Sequence, residues 1–451
     1  MKGVSRETPV WRDGAWHRRV WRLAGPMILS GLTVPLLGAV DTALVGHLEE
    51  PTYLGAVALG ALVFSFLFWG FGFLRMGTTG LAAQAFGAGD EPALRATLLR
   101  ALTLAFLLGF LLVALQWAIT AGAFALFEAS PEVEAYGRLY VLIRIWSAPA
   151  ALARFALTGW LLATQNPRAL LVIILLVNGL NIALDLLFVL GFGLGVAGVA
   201  WATVGAEYVG LAAGLVIAAR RVAWRAQPVS LARLLAAGEL IRMFRVNRDI
   251  FLRTLCLLAV FVYFTNLGAR QGDVILAVNA VLLNIASFYT FGADGIAHAV
   301  EALTGGAVGE RRRATFRRAV GVCALWAAGA TLLATAIFGL AGAPAIDLLT
   351  DLEAVRRAAR DYLPWVIAFP GAALAGFLLD GVFIGTTRTR EMRNMMMLAL
   401  AFFLPLAWWL TGAYGNHGLW LAFLLFMIVR GLSLGFVFWR IERRAGFVAE
   451  G

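Results

Sequence analysis

The stretch Asn178-x-x-Asn181-x-x-x-Asp185 places three polar side chains at spacings of three and four, hence on one face of a helix, inside a run of leucine, isoleucine and valine. Burial disfavours the charged form of a carboxylate, so one in this setting can take a proton from one side and release it on another. Asp41, followed by Thr42 and preceded by Pro26 and Pro35, sits late in an earlier apolar run. Arg75, Arg144, Arg154, Glu207, Asp294, Glu301, Asp380 and Arg430 also fall inside apolar runs. A charge at the centre of a membrane helix costs ~2.5–3.5 kcal/mol, so such residues face a bundle interior or a wet cavity. Arg75, Arg154 and Arg430 are expected to pair with carboxylates, with Glu207 as a partner for one of them. Asp294, His298 and Glu301 share one helical face, read as a structural network with proton or substrate binding as the alternative. Asp380 stands between a structural and a cation-binding role.

Other chemistry is not encoded. There is no Walker A motif, which argues against an ATP-driven pump. Gly191-x-Gly-x-Gly195 follows an apolar run and reads as a hairpin, not a dinucleotide fingerprint. The four histidines show no metal spacing, and nothing pairs a nucleophile with a base. Cys256 and Cys323 lie in apolar runs and read as small buried hydrophobes. No enzyme, catalytic residue, metal or cofactor is expected.

The elements that must hold these residues follow from composition. Of 451 residues, 61% are hydrophobic and 14% charged. A soluble domain is about half apolar and about one quarter charged. Apolar runs predict helices at roughly 20–47, 53–85, 93–127, 133–163, 168–190, 195–220, 246–268, 274–307, 315–340, 353–386, 392–413 and 417–440. Each exceeds or approaches the roughly 20 residues that span a bilayer. The breaks carry turn residues, among them Asp90-Glu91-Pro92, Gln165-Asn166-Pro167 and Gly415-Asn416-His417-Gly418. The net charge of +11 is almost all arginine, concentrated in alternate loops. That pattern signals topology, with both termini inside, and not nucleic-acid binding. The polar first 19 residues are read as a cytoplasmic tail, not a cleavable signal.

The segment 221–245 divides the chain nearly in half. Sliding the sequence by 222 positions aligns Ser65, Phe66, Gly70 and Gly87 with Ser287, Phe288, Gly292 and Gly309. The same shift aligns Arg138, Tyr140, Phe155, Gly159, Thr164 and Arg168 with Arg360, Tyr362, Phe377, Gly381, Thr386 and Arg390. Six spans per half make these parallel repeats, related by an axis along the membrane normal. The expected fold is all-α and integral to the membrane: twelve transmembrane helices in two six-helix bundles related by pseudo-twofold symmetry. Expected boundaries are 1–220 for the N-terminal lobe, 221–245 for a cytoplasmic linker and 246–451 for the C-terminal lobe.

Several runs carry a family resemblance. Val40-Asp41-Thr42-Ala43-Leu44-Val45-Gly46-His47, Arg75-Met76-Gly77-Thr78-Thr79-Gly80, Ala83-Gln84-Ala85-Phe86-Gly87 and Asn178 through Asp185 resemble the multidrug and toxic compound extrusion (MATE) transporters. The likeness is strongest to their bacterial DinF branch. Ala206-Glu207-Tyr208, Asn247-Arg248-Asp249-Ile250, Leu379-Asp380-Gly381 and Arg430-Gly431-Leu432-Ser433 agree with it. The resemblance runs in order over nearly the whole chain. It implies two lobes around a central cavity, alternating access, and export of cationic or amphipathic compounds against entry of protons, with sodium as the alternative ion. It also implies a cation site made from Asp41, Asn181, Asp185 and Thr203, with Asn178 on the same stripe. Tyr140 maps to a cavity tyrosine, and Pro26 to a proline about which the first helix bends. A carboxylate that another branch carries on helix 7 has no counterpart beyond Asp249.

The resulting expectation is a monomeric, proton-coupled multidrug antiporter of a bacterial cytoplasmic membrane, whose partners are the lipid bilayer and small amphipathic or cationic molecules. Asp380, Asp294 and Glu301 join Tyr140 and Pro26 as cavity residues. The alternative is a flippase for a lipid-linked oligosaccharide or similar substrate, which needs a more cationic cavity from residues such as Arg75, Arg144 and Arg154.

Overall fold

The computed structural model describes residues 9–46, 51–125, 129–221, 229–444 and 446–448, with the side chains of 10, 32–46 and 51 outside the described set. Its helices are α1 (Gly14–Gly46), α2 (Pro51–Gly70), α3 (Phe73–Gly87), α4 (Glu91–Ala114), α5 (Gln116–Phe124), α6 (Pro131–Arg144), α7 (Ala148–Ala163) and α8 (Pro167–Asp185). They continue as α9 (Gly195–Arg221), α10 (Leu231–Leu234), α11 (Ala237–Ala269), α12 (Asp273–Gly309), α13 (Arg313–Leu349), α14 (Glu353–Gly385) and α15 (Thr389–Arg444). No strand occurs among the described residues.

Among the described residues, ten helical stretches are long and apolar enough to cross a membrane. One of them, α15, is two helices joined at Gly415, whose φ of 57° and ψ of −137° are not helical. With α1 this makes the twelve expected spans. Local chemistry sets the boundaries. Gly89 turns at φ 68°, and the Asp90 carboxylate then caps α4 by accepting from the Ala93 N–H at 2.9 Å. Ser130 caps α6, with Pro131 next and Glu132 and Glu134 in the first turn, where the helix dipole favours negative charge. Gly193 and Gly195, both at positive φ, make the hairpin before α9.

Three expected single helices are segmented. The span expected at 53–85 breaks at Phe71-Gly72, and that expected at 93–127 breaks at Leu115. The span expected at 133–163 passes through a 3₁₀ turn at Ile145–Ser147, because Pro149 has no N–H to continue an α-helical ladder. The Gly415–Gly418 loop is also corrected. The chain stays helical except at Gly415, and Asn416 is buried. It exchanges two 2.9 Å hydrogen bonds with Asn279, whose carbonyl also accepts from the Trp420 indole. That reciprocal pairing takes out of solvent a residue type that normally marks a turn.

Contacts divide the chain into two compact units, one of Leu29–Phe86 and Asp90–Asn247 and the other of Met1–Ile28, Gly87–Gly89 and Arg248–Gly451. In the first, the N-terminal unit, α8 packs on α9, α4 on α7, and α2 on α6. In the second, the C-terminal unit, α14 lies against α12, α13 and α15. Its core is aromatic: Phe264 meets Trp420 and Phe423, and Phe369 stacks on Phe423. The first half of α1 belongs to this unit. Asp13 binds Arg318 at 2.6 Å, His17 accepts from the Trp326 indole at 3.0 Å, and Ile28 fills the space beside Gly295.

The repeat is visible in a pair of helix contacts. A Cβ on Gly159 would lie 2.3 Å from the carbonyl oxygen of Arg75, and one on Gly381 would lie 2.7 Å from that of Ala297. Residues 159 and 381, and likewise 75 and 297, are 222 positions apart. Each unit therefore presses two helix backbones together at the same place, which in lipid is how helices gain packing.

Candidate functional site

In the N-terminal unit the polar stripe of α8 faces inward. Asn181 is 4% exposed and Asp185 is 1% exposed, while Asn178, one turn earlier, is half-buried. The α-helix ends at Asp185, and a π-helical turn, Leu186–Gly191, follows directly. Such turns widen the backbone and recur at functional sites. From α9, Thr203 comes to within 3.5 Å of the Asn181 amide, and the Thr203 hydroxyl donates to Val199 of its own helix. The structure thus brings Asn181, Asp185 and Thr203 to one α8–α9 interface. Asp41 falls on α1, and its side chain lies outside the described residues. Pro26 is inside α1, two residues before the point where the helix passes from one unit to the other.

Arg154 and Glu207 meet as expected. They form a two-pronged ion pair between α7 and α9, at 2.7 and 2.8 Å, both largely buried. Arg144 is held differently. Its guanidinium donates to the Tyr140 hydroxyl at 2.6 Å and lies over the rings of Phe64 and Tyr140. Tyr140 is fully packed because Gly60 leaves room for its ring.

In the C-terminal unit Asp380 binds Arg430, as expected of that arginine, and also Arg253. One carboxylate oxygen serves both guanidinium groups. The other oxygen and both Nε atoms are buried without a hydrogen bond. Arg430 also lies over the ring of Phe377. Arg253 was not apparent as a site residue in the sequence. The signal was there: it stands four residues after Asp249, in the apolar run Ile250-Phe251-Leu252-Arg253. The expected face of Asp294, His298 and Glu301 spans very different environments, since Asp294 is exposed, His298 half-buried and Glu301 buried. Asp294 is within electrostatic reach of Arg430. Asp249 is satisfied at the start of its span by Arg393 at 2.7 Å and by Arg248 at 3.0 Å. Among the described residues no three His, Cys, Asp or Glu side chains cluster as metal ligands.

The MatE family model matches residues 26–187 and 249–409. The chain is 43% identical to the DNA damage-inducible protein F of Escherichia coli (strain K12), over 95% of this chain and 93% of that one. It is 29% identical to the probable multidrug resistance protein NorM of Deinococcus radiodurans, over 92% and 94%. Among solved structures, the Vibrio cholerae MATE transporter VcmN in its bent form superposes with a TM-score of 0.85 at 22% identity, over 95% and 97% of the two chains. A MOP superfamily transporter from Pyrococcus furiosus superposes with a TM-score of 0.84 at 22% identity, over 95% and 96%. At those identities the likeness is one of fold. Two matched blocks of one family model, one on each side of the chain's midpoint, agree with the internal repeat and the paired glycines. The chain belongs to the MatE family, as a multi-pass secondary transporter of the DinF-like branch and not an enzyme.

Proposed function

We propose that the chain is a proton-coupled multidrug antiporter of a bacterial cytoplasmic membrane, monomeric, with both termini inside, exporting cationic or amphipathic compounds by alternating access. The observation that carries the reading is Asp185, 1% exposed at the start of a π-helical turn and on the α8 face that also meets Thr203. A carboxylate there is costly while charged, so taking up a proton changes what its surroundings must supply. Each proton that enters gains ~2.3 kcal/mol per 100 mV of membrane potential. The resemblance adds Asp41 to the same site, with Pro26 as the place where α1 gives way. The NorM relative is named a multidrug resistance protein, which supports a broad organic substrate class. Sodium stays the alternative ion.

Two arginines already occupy Asp380, which supports coupling in the N-terminal unit over a second cation site there. The flippase reading needs unneutralised cations, and Arg154 is committed to Glu207. The test is dye efflux from proteoliposomes under imposed proton and sodium gradients. Proton-driven efflux is expected in the wild type and is lost in Asp185→Asn and Asp41→Asn, with unchanged thermal unfolding. Undiminished efflux in Asp185→Asn would falsify the mechanism.

A further inference from the structure

The segment from α10 into the first turns of α11, residues 229–247, is tied to its own unit by polar bonds and carries uncovered apolar side chains. The Arg100 side chain of α4 is buried and donates to the carbonyl oxygens of Leu234, at 2.9 Å, and Arg233. Arg233 reaches back to both oxygens of Asp90 at 2.8 Å. Ser230 caps α10, and Arg242 donates to the amide oxygen of Gln84 at 2.6 Å. These bonds satisfy the carbonyls of Arg233 and Leu234 and hold the segment against α3 and α4.

Its large apolar side chains are uncovered. Leu231 is 68% exposed and Leu235 59%, one helical turn apart, and Ile241 and Phe244 on α11 are 49% and 64% exposed. Beside Phe244, Arg245 is exposed and makes no ion pair among the described residues. Residues 229–247 carry three arginines against one acid, Glu239, and Glu239 lies 3.9 Å from Arg100. In water, four large apolar side chains on a tethered segment are an unexplained cost. At a membrane–water interface they can be buried in the headgroup–acyl boundary, with the exposed Arg245 beside them to meet phosphate oxygens.

We propose that residues 229–247 form an interfacial strap that inserts Leu231, Leu235, Ile241 and Phe244 into an anionic leaflet and binds phospholipid headgroups through Arg245. The apolar face sets the depth, and the positive charge selects the lipid. The strap thereby ties the N-terminal unit to the leaflet surface through Arg100 and Asp90.

The test uses the full chain in vesicles of phosphatidylcholine with phosphatidylglycerol. Nitroxide labels are placed one at a time at Leu231→Cys, Leu235→Cys and Glu239→Cys, with Cys256 and Cys323 replaced by alanine. Oxygen accessibility should exceed that of a water-soluble nickel chelate at 231 and 235, and the reverse should hold at 239. Depth is read from either leaflet and without transport, so the result stands apart from the coupling mechanism and the topology. Retention of phosphatidylglycerol over phosphatidylcholine, read by native mass spectrometry, should fall about fivefold in Arg245→Gln. Labels at 231 and 235 that report water, or unchanged lipid selection in Arg245→Gln, would overturn the proposal. The first result would mark the face as one for a soluble partner.

Discussion

The two units bury charge in the same place with opposite polarity. In the N-terminal unit the cation, Arg154, is on α7 and the anion, Glu207, on α9. In the C-terminal unit the anion, Asp380, is on α14 and the cation, Arg430, on the last part of α15. Position 154 maps by the 222-residue repeat to 376, one turn from Asp380, and position 207 maps to 429, next to Arg430. The two pairs therefore link equivalent helices. They differ in balance: Arg154 and Glu207 close one to one, whereas Asp380 is shared by Arg430 and Arg253. The N-terminal pair is internally neutral, which is why the proposed coupling is placed on the neighbouring α8 carboxylate. A carboxylate held by two guanidinium groups acts as a structural pin between α11, α14 and α15.

The largest test of that contrast is Asp380→Asn. It strands two buried guanidinium groups and should cost about 3–5 kcal/mol, read as a lower thermal unfolding midpoint in detergent. Replacing Arg253 and Arg430 with methionine in the same chain should restore much of it. A midpoint unchanged by Asp380→Asn breaks the assignment of a pin.

Next comes Arg154→Ala, expected to cost about 3 kcal/mol because Glu207 is left buried and alone. The exchange Arg154→Glu with Glu207→Arg should recover most of the loss. The corresponding exchange of Asp380 and Arg430 should not, since Arg253 would then face a new arginine. Equal recovery in the two units would remove the difference in balance.

Smaller effects test the shared architecture. Gly159→Ala and Gly381→Ala should each destabilise by about 1–3 kcal/mol, since each added methyl meets a backbone carbonyl that cannot step aside. A strong effect at one and none at the other would break the equivalence of the two contacts.

The smallest effect is expected at the start of α1. The hydrogen bond from Arg318 holds the Asp13 carboxyl below its ordinary value of 3.8. A lowered folded-state pKa gives stability that is present above about pH 4 and fades as the carboxyl is protonated at lower pH. The start of α1 should therefore loosen on acidification, seen as faster hydrogen exchange around residues 14–20, and Asp13→Asn should remove that dependence.

Much of this was legible in the residues themselves. Composition and run length specify a twelve-span membrane protein, because a bilayer admits only segments that satisfy their own backbone. The repeat was legible because both copies keep Gly159 and Gly381 for one packing reason. The inward face of Asn181 and Asp185 follows from helical period alone. Pairing was legible as a need, since a buried arginine requires an anion, and Glu207 was an available one.

Tertiary structure decided the rest. Which charges meet depends on helices far apart in sequence: Arg253 and Asp380 are 127 residues apart, and no local pattern joins them. The breaks at Phe71-Gly72 and Leu115 sit in uniformly apolar sequence, where hydropathy has no contrast to report. Asn416 reads as a turn residue until Asn279 supplies its matching amide. The first half of α1 packs with the C-terminal unit because Arg318, Trp326 and Gly295 are there to receive it. Sequence period fixes the face a residue takes on its own helix, and only the packed chain determines what stands opposite.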